Sequence, residues 1–357
     1  MKVRGQDMRV VWWSDDGIHY IDQRALPMRV EIGVARDVEE VARAIEVMAV
    51  RGAPLIGVFA AYGFALAARR GAALDAAYAR LSGTRPTALN LWSGLDAVRA
   101  AAPNPCVMLA AARAYDDAGI AAAEAIGTHG LTLFRHGTRV LTHCNAGWLA
   151  VQDWGTALAP VYKAARAGLE PFVYVSETRP RLQGARLTAW ELREEGVAHV
   201  VIADSAAAHL IQRGQVDLVL TGADRVAANG DAANKIGTYS RALAASAHGV
   251  PFYVAAPLST IDRAITTGAE IPIEERPEDE VLTVEGVDDS GALVRVRVTP
   301  AGTKALNPAF DVTPHRLITG IVTEVGIVPA SDRGIAEAFR RAADATRPGG
   351  RGGATRG

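Results

Sequence analysis

From Gly137 onward the sequence alternates between short runs rich in β-branched and apolar residues and longer helical patterns, and this alternation narrows the possible folds sharply. The runs are Arg139–Thr142, Pro171–Val175, His199–Ala203, Asp217–Thr221 and Pro251–Ala255. Helical patterns lie between them at Arg186–Glu195, Ser205–Arg213 and Lys235–His248. Strand and helix recurring every roughly 20–30 residues argue for βαβ units and a parallel sheet. The expected fold class is therefore α/β, with a Rossmann-like parallel sheet. In such a sheet a ligand sits beyond the carboxyl ends of the strands. Cys144, Glu177, Asp204 and Asp224 follow those ends, so residues capable of proton chemistry fall where the fold places a site.

The chain before Gly137 reads differently. Val10–Trp13 and Ile18–Ile21 flank Asp15-Asp16-Gly17, a turn signal that predicts a short β-hairpin. Asp37 can cap a helix with Glu40 at its third position, and Val38, Val41, Ile45 and Met48 share one face. Pro54 stands where a further helix would start, just after Arg51-Gly52-Ala53. The span from Asp96 to Gly127 is Ala-rich and helical in pattern. These features predict a small, mainly helical N-terminal domain with a β-hairpin over 1–127 and a Rossmann-like catalytic domain over 128–346. The segment 347–357, RPGGRGGATRG, has almost nothing to bury and is expected to be disordered. With 357 residues, 49% of them hydrophobic, the chain can build two cores.

Several function classes are disfavoured. A formal net charge of −1 leaves no excess of cations for a nucleic-acid backbone. Two cysteines, Cys106 and Cys144, make no disulfide framework and fit a reducing compartment. The start, MKVRGQDMRVVWW, lacks the apolar stretch and cleavage site of a signal peptide. The longest plain apolar run, Val58–Ala68, has 11 residues, against about 20 for a membrane span. A cytoplasmic location with no membrane partner is expected. There is no phosphate loop of the G-x-x-x-x-G-K-[ST] type, no G-x-G-x-x-G after the first strand and no close His or Cys pair. Neither a nucleotide cofactor nor a metal is expected. Ser176 lacks a nucleophile elbow, which disfavours a serine hydrolase.

Two constellations carry candidate chemistry. In Thr142-His143-Cys144-Asn145-Ala146-Gly147 a thiol follows a strand and precedes a glycine turn. Backbone N–H groups there could lower its pKa; the plainer alternative is a small buried apolar residue. Cys106, beside Pro103-Asn104-Pro105, has no such setting. In Gly222-Ala223-Asp224-Arg225 a carboxyl group ends a strand, as a desolvated acid or as a turn residue. Asn234-Lys235 is read as opening a helix, and Lys235 is conspicuous because the only other lysines are Lys2, Lys163 and Lys304. Arg51-Gly52-Ala53, Arg85-Pro86-Thr87 and Glu177-Thr178-Arg179-Pro180 with Gln183-Gly184 look suited to an anion. Glycine beside arginine lets a phosphate approach the backbone while the guanidinium binds it.

These stretches resemble the methylthioribose-1-phosphate isomerase family. The resemblance rests on RGAPLIG (Arg51–Gly57), RPTALNL (Arg85–Leu91), HCNAG (His143–Gly147) and ETRPRLQGARLTAWEL (Glu177–Leu192). It extends over the long segment Thr221–Asp262 and NPAFDVTPHRLITGIVTE (Asn307–Glu324), and so over most of the chain. It implies an aldose–ketose isomerase of methionine salvage, usually dimeric, acting on a small phosphorylated sugar without metal or nucleotide. It also implies Cys144 and Asp224 as the catalytic pair, with Arg51, Gly52, Ala53, Arg85, Gln183, Asn234 and Lys235 contacting the substrate. In that mechanism Asp224 protonates the ring oxygen, and Cys144 as thiolate takes the C2 proton or stabilises charge. A direct hydride shift from C2 to C1 is the alternative. Isomerases of 5-deoxyribose 1-phosphate or ribose 1,5-bisphosphate, and the non-catalytic regulatory subunits of initiation factor 2B, share the likeness. The segment Val281–Leu306 is longer than the resemblance leads one to expect, and Leu306 stands where a tyrosine is usual.

Overall fold

The structure is a computed structural model describing residues 1–85 and 88–346. The tail 347–357 and Pro86-Thr87 of the RPTALNL stretch lie outside the described residues. The expected hairpin forms from Val11–Trp13 and Ile18–Ile21, and a third antiparallel strand, Ile32–Ala35, extends it. Helices Val38–Glu46, Ala53–Arg69, Leu74–Ser82, Leu89–Arg99 and Pro105–Gly130 follow. Asp37 caps the first of them, accepting the Glu40 N–H at 2.8 Å. Ala53–Arg69 is apolar on nearly every face and is buried along most of its length. The Ala-rich span expected as one helical region divides around Pro103, which cannot continue a helix. Asn104 then accepts the Cys106 N–H at 3.0 Å and Pro105 takes the first helical position, restarting the helix. That helix carries on past residue 127 to Gly130.

The large sheet has seven strands: β1 (Arg139–Thr142), β2 (Phe172–Ser176), β3 (His199–Ile202), β4 (Leu218–Thr221), β5 (Phe252–Ala255), β6 (Gly320–Thr323) and β7 (Gly326–Val328). Their order is β3-β2-β1-β4-β5-β6-β7. The first six are parallel, and β7 turns back antiparallel on β6. This is the doubly wound order, in which the direction of winding reverses between β1 and β4. β4 is buried along its whole length, as a parallel strand covered on both faces must be. One buried cluster runs from Val10 and Val11 through Phe59, Leu66 and Leu95 into Trp148, Val161, Val173 and Leu192. The helical region therefore shares its core with one face of the sheet. A second cluster contains Leu141, Val219, Phe252, Val254, Ile321 and Ile335, and a third sets Ile126 of the long helix with Val140, Leu218, Leu220, Ala255 and Val322 of the sheet.

A smaller sheet of Ile261–Asp262, Arg225–Ala227, Ala232–Lys235 and Phe310–Thr313 stands beyond β4. It corrects one expectation. Asn234 and Lys235 lie on a strand, and the helix opens only at Thr238, after Gly237 at φ 102°. The reason is long-range pairing: Asn234 and Lys235 register with Asp311 and Phe310. Asp311 then accepts the N–H groups of Gly237 and Tyr239 at 2.6 and 3.0 Å, which caps the helix. The long segment at Val281–Leu306 contains a hairpin, Thr283–Val287 with Leu293–Arg297. Arg179 Nη2 holds its root by donating to the Val281 carbonyl at 2.7 Å. Among the described residues no helix is long and apolar enough to cross a membrane.

Removing the Asp37 cap should destabilise the fold without touching the cleft. Asp37→Ala is expected to lose about 1 kcal/mol in urea unfolding, with an unchanged slope.

Candidate active site

β1 and β4 lie side by side, with Leu141 in register with Val219 and Thr142 Oγ1 donating to the Leu220 carbonyl at 2.8 Å. Cys144 follows the end of β1 and Asp224 follows the end of β4, so the winding reversal brings thiol and carboxyl group to one cleft. Arg51, Gly52, Ala53, Asn145 and Asn234 line the same cleft. Cys144 sits in the left-handed region at φ 66°. Its N–H donates to Thr178 Oγ1 at 2.9 Å, and its carbonyl accepts from Thr188 Oγ1 at 2.7 Å, which hold that turn. The Asp224 N–H donates to the Ala233 carbonyl at 2.9 Å, bringing Asp224 beside the strand that bears Asn234 and Lys235. Gly52 is at φ 99°, and a Cβ there would meet the Ala150 carbonyl oxygen at 2.6 Å. Only glycine lets the chain pass so close and still open the helix at Ala53 with its N–H groups unpaired within the helix.

The remaining predicted residues are distributed around this cleft. Arg51 Nη1 and Nη2 donate to Oδ1 and the carbonyl of Asn145 at 2.6 and 2.9 Å. Arg85 pairs with Glu274 at 2.8 Å and lines an adjoining cavity with Ala53 and Asp224. Gln183 lines a separate, arginine-rich cavity that meets the cleft at Arg51. Lys235 is buried, with Nζ 5.4 Å from the Phe310 ring centre, and its charge acts on both Cys144 and Asp224. Of the other strand-end residues, Asp204 accepts the Thr178 and Arg179 N–H groups at 3.0 and 2.7 Å and pairs with Arg241 at 2.8 Å. It orders the loop instead of lining the cleft, and Glu177 leans toward the Asp204 N–H at 3.4 Å. Cys106 is exposed at a helix start.

The electrostatics correct the expectation of an activated thiol. Burial pushes the Cys144 thiol up, outweighing the Arg51 and Lys235 charges and the Asn145 N–H that pull it down. A 3₁₀ turn, Trp148–Ala150, follows Cys144, with no long helix start to stabilise a thiolate. Burial likewise raises the Asp224 carboxyl group against Arg85, Lys235 and Arg51. Burial lowers Lys235 and Arg51, opposed by Cys144 and Asp224. The cleft thus combines two groups biased toward their protonated forms with cations suited to an anion.

Sequence reasoning passed over Glu191 and gave Asn145 and Thr178, though they stand in the quoted motifs, no role of their own. Glu191 was signalled by being the one charged residue in the stretch Leu187–Leu192, flanked by Trp190 and Leu192. It is buried and accepts four hydrogen bonds, from Asn145 Nδ2, the Trp148 and Leu149 N–H groups and Tyr162 OH.

The family model described as the initiation factor 2 subunit family matches residues 49–330. The chain belongs to this family. A protein of Methylocella silvestris named methylthioribose-1-phosphate isomerase is 52% identical over 95% of this chain and 99% of its own length. A Rhizobium meliloti protein of the same name is 50% identical over 95% and 99%. The solved 5-methylthioribose 1-phosphate isomerase of Pyrococcus horikoshii has a TM-score of 0.83 at 40% identity, covering 93% of this chain and 96% of that one. A structure from A. fulgidus described as translation initiation factor eIF-2B, subunit delta, has a TM-score of 0.79 at 38% identity, covering 94% and 100%.

Because burial raises the Cys144 thiol, its reaction with iodoacetamide should stay slow near neutrality and accelerate only at a more alkaline pH than a free thiol needs. Peptide mass spectrometry of a Cys106→Ser variant across pH measures this directly.

Proposed function

We propose that this chain is an aldose–ketose isomerase that converts 5-methylthioribose 1-phosphate to 5-methylthioribulose 1-phosphate, in methionine salvage. The observation that carries the reading is a thiol and a carboxyl group in one cleft with the Arg51 guanidinium and the helix start at Ala53. Relatives of that name match nearly the whole chain. We assign Cys144 and Asp224 to the chemistry, and Arg51, Gly52, Ala53, Arg85, Gln183, Asn234 and Lys235 to holding the phosphorylated sugar.

The phosphate on C1 keeps the ring from opening freely to an aldehyde, so the ring oxygen must be protonated as its bond to C1 breaks. Asp224, whose carboxyl group burial holds toward the neutral form, supplies that proton. The hydrogen on C2 then moves to C1 with its electron pair, C2 becomes a carbonyl, and the C2 hydroxyl proton leaves to balance the one donated. A thiol raised by burial is poorly suited to act as a thiolate base. This favours hydride shift over proton abstraction. Arg51, the helix start and Lys235 hold the phosphate.

A further cavity meets the cleft at Pro54, Val151, Thr156 and Pro257. Its walls are chiefly apolar, with Val58, Ala118, Ala122, Ala123 and Ile126, and Asn90, Ser259 and Glu324 among its polar members. This supports a methylthio group at C5 over a second phosphate. The reading also includes cytoplasmic work as a homodimer, which sedimentation of the purified protein checks. The helical region, which the helix Pro105–Gly130 carries past the expected 127/128 division, has the task of covering the cleft and excluding water.

With purified protein, turnover of 5-methylthioribose 1-phosphate should exceed that of ribose 1,5-bisphosphate. No isomerisation of any such sugar would assign the chain to a non-catalytic role. Asp224→Asn and Cys144→Ser should keep near-native circular dichroism and lose about 100-fold or more in kcat. In deuterium oxide the product should carry no solvent deuterium at C1; deuterium there would establish proton transfer instead.

A further inference from the structure

Arg51 is the cation that meets the cleft most directly, yet the partner its guanidinium grips is neutral. Both of its short hydrogen bonds go to Asn145, at 2.6 Å to Oδ1 and 2.9 Å to the carbonyl. An amide offers its oxygen to a cation only if its nitrogen faces the other way. Asn145 Nδ2 is committed elsewhere: it donates to Glu191 Oε1 at 2.7 Å and to Thr188 Oγ1 at 3.3 Å. The carboxylate behind the amide is held in turn by donors alone. Leu149 N–H reaches Oε1 at 3.1 Å, and Trp148 N–H and Tyr162 OH each reach Oε2 at 2.8 Å. Gly147 makes this approach possible, since a Cβ there would overlap Glu191 Oε2. The series is carboxylate, amide, guanidinium, running from the buried core to the cleft.

We propose that Glu191 is a positioning residue for the isomerase reaction: through Asn145 it orients the Arg51 guanidinium toward the substrate phosphate. The proposal rests on the isomerase reading above and deepens it. Four converging donors leave no place for a proton on Glu191 without breaking one of them, so the relay works with the carboxylate ionised. Burial pushes Glu191 up to about 7, against the pull of Asn145, Tyr162 and the two N–H groups. The groups facing it are Tyr162 from the helix Leu158–Arg166, Asn145 beyond β1, and Arg51 ahead of the helix Ala53–Arg69, with Arg51 carrying the nearby positive charge. Raising the pH through about 7 ionises Glu191 and sets Asn145, whereas lowering it neutralises the carboxylate and frees the amide to rotate. The acid limb of kcat/KM should therefore fall near that value.

The test compares wild type, Glu191→Gln and Tyr162→Phe for 5-methylthioribose 1-phosphate turnover between about pH 6 and 9. Glu191→Gln presents an amide nitrogen to a site built for acceptors. We expect KM to rise by about tenfold with kcat within about twofold, and the acid limb to vanish. Tyr162→Phe removes one hydrogen bond to the carboxylate without touching Arg51, and should move the acid limb to higher pH. An unchanged KM and limb in Glu191→Gln would overturn the proposal. So would an unmoved limb in Tyr162→Phe, which decides the matter if Glu191→Gln does not fold. Inorganic phosphate titrated calorimetrically into wild type and Glu191→Gln separates this proposal from the isomerase reading. If wild type turns over no sugar phosphate, the isomerase reading fails and the titration alone decides: phosphate binding about tenfold weaker in Glu191→Gln sustains the relay, and equal affinity overturns it.

Discussion

The parallel pairing of β1 with β4 is the constraint on which the rest of the molecule depends. A doubly wound sheet can reverse its direction of winding only where a later strand is laid against the first one on its open side. Here that reversal separates the loops leaving the two strands and opens a crevice between them. The residues following β1 and β4 carry Cys144 and Asp224. Thr142 Oγ1, bonded to the Leu220 carbonyl across the join, ties the strands together directly beneath the site. A slip of this pairing would part the two groups, whatever the local sequence around each.

The cleft gathers cations that are not all matched by a carboxylate. Arg51 grips a neutral amide, Lys235 lies over the Phe310 ring, and Arg85 is paired with Glu274. Burial raises Cys144 and Asp224 and lowers Lys235. An anion entering such a site meets cations already desolvated and oriented, so it need not displace a tightly paired carboxylate from Arg51. Two non-glycine residues of the loops that make this arrangement, Cys144 and Thr178, are in the left-handed region. A hydrogen bond from the Cys144 N–H to Thr178 and one from the Thr188 hydroxyl to the Cys144 carbonyl hold Cys144 in its left-handed turn, and the Asp204 carboxylate fixes Thr178 by accepting its N–H.

The strands β1 to β5 were legible because each is a short apolar run bounded by turn residues, which held even for the half-exposed edge strand β3. The helix cap at Asp37 was legible because its partner, Glu40, lies one turn away. Asn234 and Lys235 were misread as a helix start because the strand they occupy exists only through pairing with Phe310–Thr313, more than seventy residues further on. The thiol was expected to be activated, since a Gly-rich turn after a strand resembles an anion-stabilising one; the burial that reverses its bias comes from elements remote in the chain. Glu191 was passed over because a lone carboxylate between Trp190 and Leu192 says nothing of what meets it. Its partners come from the β1 loop, the Trp148 turn and the helix Leu158–Arg166.

By itself the sequence determined the alternation of strand and helix, the parallel character of the sheet and the residue types able to move protons or hold an anion. Those properties follow from periodicity, turn chemistry and side-chain identity, all of which act over a few residues. Tertiary structure alone decided which of the four strand-end residues share a cleft, why Asp204 braces a loop while Asp224 faces the site, and how a buried carboxylate reaches Arg51 through an amide. These depend on desolvation and on hydrogen bonds between segments distant along the chain, and both come into being only when the sheet closes and the helices pack over it.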